Sequence, residues 1–206
     1  MRAEPSFGDR ALVEDARVAH LDLSEQRLID TRFDRCVFDQ VALTACDLRG
    51  SQWCDVQLVD GELSGAVLSE SELVRVEISG GRAAGVVFLE GTLRHARFRD
   101  VRLDSAIFHG ATLEHCVFER CNLVDADFVD ATFDGVEFVD CDLRAADLGV
   151  TKCTRLFLMH CDLEGVKGVA RLRGATITSD SILPLAMSAF AALGLEIDDL
   201  DDAGSG

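Results

Sequence analysis

The chain has 206 residues and a formal charge of −17, from 37 acidic against 20 basic side chains, and its eight cysteines form no C-x-x-C pair. So acidic a surface repels phosphate backbones and anionic lipid headgroups, which argues against direct nucleic-acid or membrane binding and for basic protein surfaces as partners. No leader is visible and no apolar run approaches the about eighteen residues of a membrane span, so the expectation is a single-domain cytoplasmic protein.

Residues 1–20 are the least regular part and are expected to form a partial coil or cap, although Val13 and Val18 already share the phase of the repeat that begins at Leu23. From Leu23 every fifth residue is apolar as far as Leu163, and all but Ala83 and Cys153 are Leu, Ile, Phe or Trp. A helix repeats its face about every 3.6 residues and a strand about every 2. Neither keeps a five-residue stripe on one side, whereas a chain that turns a corner every five residues does. Residues 21–166 are therefore predicted to be an all-β solenoid. Two residues before many of the large positions stands a small one, such as Ala66, Ala106, Ala126 or Ala146. Cys36, Cys46, Cys116, Cys121, Cys141 and Cys161 fall in that register and read as small buried hydrophobes of a reducing compartment, not as metal ligands or disulfide partners. One large and one small inward side chain per five residues fill a narrow core at native density. Around Ser79–Gly85 the large residue shrinks to Ala83, which predicts a dented or mobile coil.

Units such as Cys46-Asp47-Leu48-Arg49-Gly50, Ala126-Asp127-Phe128-Val129-Asp130 and Cys141-Asp142-Leu143-Arg144-Ala145 resemble the A(D/N)LXX motif of the pentapeptide-repeat family. The resemblance implies a right-handed quadrilateral parallel β-helix of about seven coils, four pentapeptides each, in which residue n stacks on n+20. At a strand spacing of ~4.8 Å the rod is roughly 34 Å long.

After Leu163 the repeat fades, and residues 167–197 are expected to hold a last strand near Leu172–Ile177 and a short C-terminal α-helix from Ile182 to Leu193. Ser179, Asp180 and Ser181 are its N-cap candidates and Gly194 its C-cap. Its apolar residues lie nearly all round, so one side can close the open end of the solenoid while Ile182, Leu183, Ala186, Met187, Phe190 and Leu193 meet a second copy in a homodimer. A simple cap is the alternative. Leu195-Glu196-Ile197 is a candidate short strand and 198–206 an acidic, disordered tail.

No nucleophile, histidine and carboxylate stand at a spacing typical of an enzyme, and no glycine-rich phosphate loop or metal-ligand pattern points to a cofactor, so a non-catalytic protein is expected. His95 and His115 stack at a polar corner, and Thr92, Thr112 and Thr132 form one row. Arg94, Arg97, Arg99 and Arg102 make a basic patch near mid-rod. Beyond it, Asp125, Asp127, Asp130, Asp134, Glu137, Asp140, Asp142 and Asp147 stand against Arg144 alone, as a candidate partner-binding acidic band beside the dimer helix. Within the family this arrangement resembles the Qnr- and MfpA-type proteins that interact with DNA gyrase. That likeness implies DNA mimicry: an acidic rod occupying the DNA-binding saddle of a type II topoisomerase, inhibiting it or protecting it from quinolone-like poisons. Two rods end to end would run roughly 70 Å, comparable to about 20 base pairs. The projecting loops of many Qnr proteins have no counterpart in the unbroken phase. A non-catalytic scaffold, which presents outward apolar rows such as Val67, Val87 and Ile107 to another protein, remains the alternative reading.

Overall fold

The computed structural model describes residues 6–195. Glu196 and Ile197 of the candidate strand, and the tail 198–206, lie outside the described residues.

The five-residue stripe winds into a parallel β-solenoid with four faces, each repeating every twenty residues. The first face begins with the strand Leu12–Glu14 and the second with Arg17–Ala19, and both pair in register with the strands twenty residues on. The third face runs through single bridges from Asp22 to Asp162, and the fourth from Arg27 to Lys167. Because Val13 and Val18 are already in phase, regular pairing starts within the first twenty residues. The rod therefore has about eight coils, one more than the stripe from Leu23 accounts for, and spans roughly 38 Å at ~4.8 Å per coil. Through the dent the third-face bridges run on from Glu62 to Arg82 to Arg102, and Ala83 N donates to Arg102 O at 2.7 Å, so the coil stays paired.

Each coil closes because the residue at nearly every fifth position turns the backbone into the left-handed region, Val150 being an exception. Asp30, Arg35, Ala45, Arg75 and Arg120 all take φ near +50° alongside the expected glycines. Left-handed backbone disfavours a side chain, so the ladder on both sides must impose it. At the corners after the third and fourth faces a four-residue turn is hydrogen-bonded, as in Cys46 N to Leu43 O (3.1 Å), with the left-handed residue third.

The core is one continuous column. Phe98, Phe118 and Phe138 stack at 4.8 and 4.9 Å, and Phe88, Phe108 and Phe128 at 5.0 and 4.8 Å. The two columns meet edge-on, Phe108 to Phe118 at 5.9 Å. Towards the N-terminus Trp53 Nε1 donates to Ser51 Oγ (2.8 Å) and Ser71 Oγ to Leu48 O (2.9 Å), so the buried polar atoms there are satisfied. The six in-register cysteines are buried and donate to carbonyls 23 residues earlier, Cys46 to Leu23 O at 2.7 Å. Burial pushes the Cys116 thiol up to about 12, the state of an inert structural cysteine.

At the C-terminal end a short strand, Thr176–Ile177, pairs with Phe157 and Leu158. The expected N-cap segment Ser179–Ser181 is a turn of 3-10 helix, and the α-helix spans Ile182–Ala192 without a side-chain cap. Its cap candidates bond to the coil below instead: Ser181 Oγ donates to Cys161 O (3.2 Å), and Asp180 meets His160 Nδ1 at 2.9 Å. Leu193 ends the helix and Gly194 follows at φ +68°. Among the described residues no helix is long and apolar enough to cross a membrane.

Candidate interaction surface

The outward positions decide what this rod can do, and the twenty-residue register assigns each of them to a face. Asp134 stands on the first face, Glu137 on the second, Asp142 on the third, and Asp127 with Asp147 directly above it on the fourth. Asp125, Asp130 and Asp140 occupy three corners, at φ of 56°, 57° and 53°. The eight acids therefore encircle the sixth and seventh coils as a belt. One further coil, carrying Lys152, Arg155, Asp162, Glu164 and Lys167, separates the belt from the terminal helix.

More cations meet the belt than Arg144. Arg155 Nη2 reaches Asp134 at 2.7 Å and holds its carboxyl below the usual range. Arg144 pairs with Asp142 at 2.7 Å, with the same effect, and lies 3.6 Å from Asp162. The His109 ring lies between two of the acids, Nδ1 3.4 Å from Asp127 and Nε2 4.0 Å from Asp130. Asp127 and Asp147 each accept the backbone N–H two residues on, at 2.8 and 3.0 Å, and Asp130 accepts Thr151 Oγ1 at 3.2 Å. The side chains of Asp125, Glu137 and Asp140 make no hydrogen bond or ion pair among the described residues. With Asp147 they supply the belt's uncompensated charge.

The mid-rod arginines are not a free basic patch. Arg94 lies between Glu72 (2.8 Å) and Glu114 (2.9 Å), Arg99 pairs with Glu119 at 3.1 Å, and Arg102 lies 3.8 Å from Asp104. Among the described residues Arg97 alone of the four has no ion pair. Two corners carry arginine–aspartate ladders: Arg35, Arg75 and Arg120 each grip the aspartate one coil below with two nitrogens, at Asp15, Asp55 and Asp100. Arg75 brings the Asp55 carboxyl down to about 2. Asp34, Cys54 and Asp55 converge within 4.8 Å of one another, but Arg75 lies against both Asp55 and Cys54 Sγ (3.1 Å), so a guanidinium already supplies the positive charge. His95 and His115 stack at 5.1 Å, and Gly135 leaves room above them, where a Cβ would come within 2.8 Å of His115 Nδ1.

The terminal helix divides into two sides. Leu185 packs against the core and Ser188 is buried, whereas Ile182, Leu183, Met187, Phe190 and Leu193 are exposed, Leu183 at 71% and Leu193 at 73%. Ala186, half-buried, lies between them. At about 100° per residue the exposed side chains fall on one continuous side of the helix. The six residues expected to meet a second copy thus share a surface that the solenoid leaves open.

Residues 62–128 match the family model for the pentapeptide repeat region, and residues 113–149 match the model for pentapeptide repeats in eight copies. None of the curated proteins matches the sequence. Among solved structures, trypsin-treated QnrB1, a plasmid-mediated fluoroquinolone resistance protein, superposes with a TM-score of 0.61 at 18% identity, over 91% of this chain and 97% of that one. HetL, a pentapeptide repeat protein involved in heterocyst differentiation regulation from the cyanobacterium Nostoc sp. strain PCC 7120, superposes with a TM-score of 0.54 at 20% identity, over 82% of this chain and 85% of that one. At such identities the likeness is one of fold.

Proposed function

We propose that the chain, whose residues 62–149 match the pentapeptide-repeat models, is a non-catalytic DNA mimic that binds a type II topoisomerase such as DNA gyrase. The observation that carries the reading is the belt's uncompensated carboxylates, Asp125, Glu137, Asp140 and Asp147, distributed round the rod. A duplex likewise offers charge round its circumference, and a basic saddle that grips phosphates from several sides finds a comparable pattern here. Two copies joined through the outer side of the terminal helix would form a rod of roughly 75 Å, about 22 base pairs long, with one belt on each side of the seam. Occupying the DNA site would inhibit the enzyme, or displace a quinolone-like poison bound at the cleaved segment. QnrB1 is a fluoroquinolone resistance protein on the same fold, which lends weight to the second outcome.

The test is a gyrase supercoiling and cleavage assay with purified protein, with and without a fluoroquinolone. An effect at micromolar protein is expected, weakened by Asp125→Lys, Asp130→Lys and Asp147→Lys but little changed at Asp142, whose charge Arg144 already offsets. No effect on either activity would refute the reading for gyrase. A scaffold that offers its faces to some other protein is the second reading. It is favoured by the outward apolar row Val67, Val87 and Ile107, and by HetL, a protein of this fold involved in heterocyst differentiation regulation.

A further inference from the structure

The fourth face differs from the other three between the third and fifth coils. Its outward row there is Val67, Val87 and Ile107, bridged one above another, with Asp47 and Asp127 closing the row at either end. Beside it Leu89 is 38% exposed, one of the few large apolar side chains of the solenoid left so open. The corner before this face carries Gly65 and Gly85, where an added Cβ would meet nothing within 4 Å, so that edge is low. The corner after it carries Glu70 and Glu90, both exposed. Neither joins an ion pair among the described residues, whereas the corner residues Asp15, Asp55 and Asp100 are each held by an arginine.

We infer that this strip docks an amphipathic helix of a partner protein, its apolar side against Val67, Val87, Leu89 and Ile107 and a lysine or arginine edge along Glu70 and Glu90. The spacing fits. A helix laid along the rod axis presents one residue per turn about every 5.4 Å, and the coils follow one another at ~4.8 Å, so three successive turns meet three successive coils within about an ångström. Charge selects the occupant. A second copy of this chain would bring more carboxylates towards Glu70 and Glu90, whereas a basic edge gains attraction over a face whose apolar centre excludes water. The strip is independent of the topoisomerase reading, since it lies in earlier coils than the acidic belt and its partner is specified by chemistry alone.

The probe is a synthetic eighteen-residue helical peptide with a leucine stripe edged on one side by lysines, labelled for fluorescence anisotropy against the full-length protein. Controls keep the stripe with glutamates in place of the lysines, or scramble the order. The lysine-edged peptide is expected to bind well below about 100 µM and the glutamate-edged one at least about tenfold more weakly. The double variant Val87→Ser with Ile107→Ser is expected to lose about tenfold in affinity. Glu70→Gln with Glu90→Gln should flatten the salt dependence while the circular dichroism of both proteins stays that of the wild type. Equal binding of the two peptides, no binding at about 100 µM, or affinity unchanged in both double variants would overturn the inference. So would a self-association, seen by sedimentation, that Val87→Ser with Ile107→Ser abolishes, since the strip would then belong to a second copy.

Discussion

Replacing Phe190 with Asp tests the proposed seam at its most quantifiable point. Phe190 leaves 41% of its surface exposed on the outer side of the terminal helix. Of the roughly 200 Å² a phenylalanine can bury, that is about 80 Å², or about 2 kcal/mol at ~25 cal/mol per Å². A twofold interface contains the residue twice, so the change removes about 4 kcal/mol, a weakening of about a thousandfold, before the cost of burying a carboxylate is added. Sedimentation velocity over a concentration series is the assay. The wild type is expected to be dimeric at micromolar concentration and Phe190→Asp monomeric, with a circular dichroism spectrum that shows the solenoid intact. Thr154→Asp, which places the same charge on an exposed first-face position, is expected to leave the dimer unchanged. A monomeric wild type, or a Phe190→Asp protein that stays dimeric, would refute the seam.

The core, the dent and the cap each carry an expectation of their own. Phe118 is wholly buried and stacked on both sides, so Phe118→Ala is expected to cost about 4 kcal/mol in urea unfolding and Phe118→Leu about 1 kcal/mol; equal costs would contradict the stacked column. At Gly81 (φ +77°) an added Cβ would come within 2.1 Å of Gly61 O, whereas at Gly85 (φ +62°) it meets open space, so Gly81→Ala is expected to cost more than about 2 kcal/mol and Gly85→Ala about 1 kcal/mol by the same measurement. Asp180 raises the pKa of His160 above its ordinary value, and the Thr178 hydroxyl and His160 lower that of Asp180. The histidine's contribution is therefore complete below its unfolded pKa and fades as pH rises through its folded one, while that of Asp180 is lost as pH falls through its own folded value. An NMR titration of the His160 ring is expected to shift towards the ordinary value in Asp180→Asn, and an unshifted midpoint would show that the cap is not held this way.

Where the register alone sets a residue's place, the sequence was a sufficient guide. The five-residue phase places Phe98 under Phe118 and Phe118 under Phe138, and buries the six in-phase cysteines. It could not say which carboxylate a long side chain chooses. Arg155 passes over the corner to Asp134, 21 residues back, and Arg94 reaches Glu72 and Glu114, 22 and 20 away. Such choices depend on rotamers rather than on spacing; they convert an apparent basic patch into mostly paired charge and pair Asp134 and Asp142 within an apparently uniform acidic band. The left-handed corners were equally hidden, because Arg35, Arg75 and Arg120 have no preference for positive φ and take it only because the coil must close. That Glu70 and Glu90 beside Leu89 join no ion pair among the described residues emerged only once the arginines had been assigned.

Direct competition tests whether this rod takes the place of DNA on its partner. With purified gyrase and a labelled duplex longer than the enzyme's gate segment, the protein is expected to displace the duplex with an affinity that falls steeply as salt rises, and Asp125→Lys, Asp130→Lys and Asp147→Lys to displace it poorly. A complex in which protein and duplex sit on the enzyme together, or no displacement at any salt concentration, would contradict DNA mimicry.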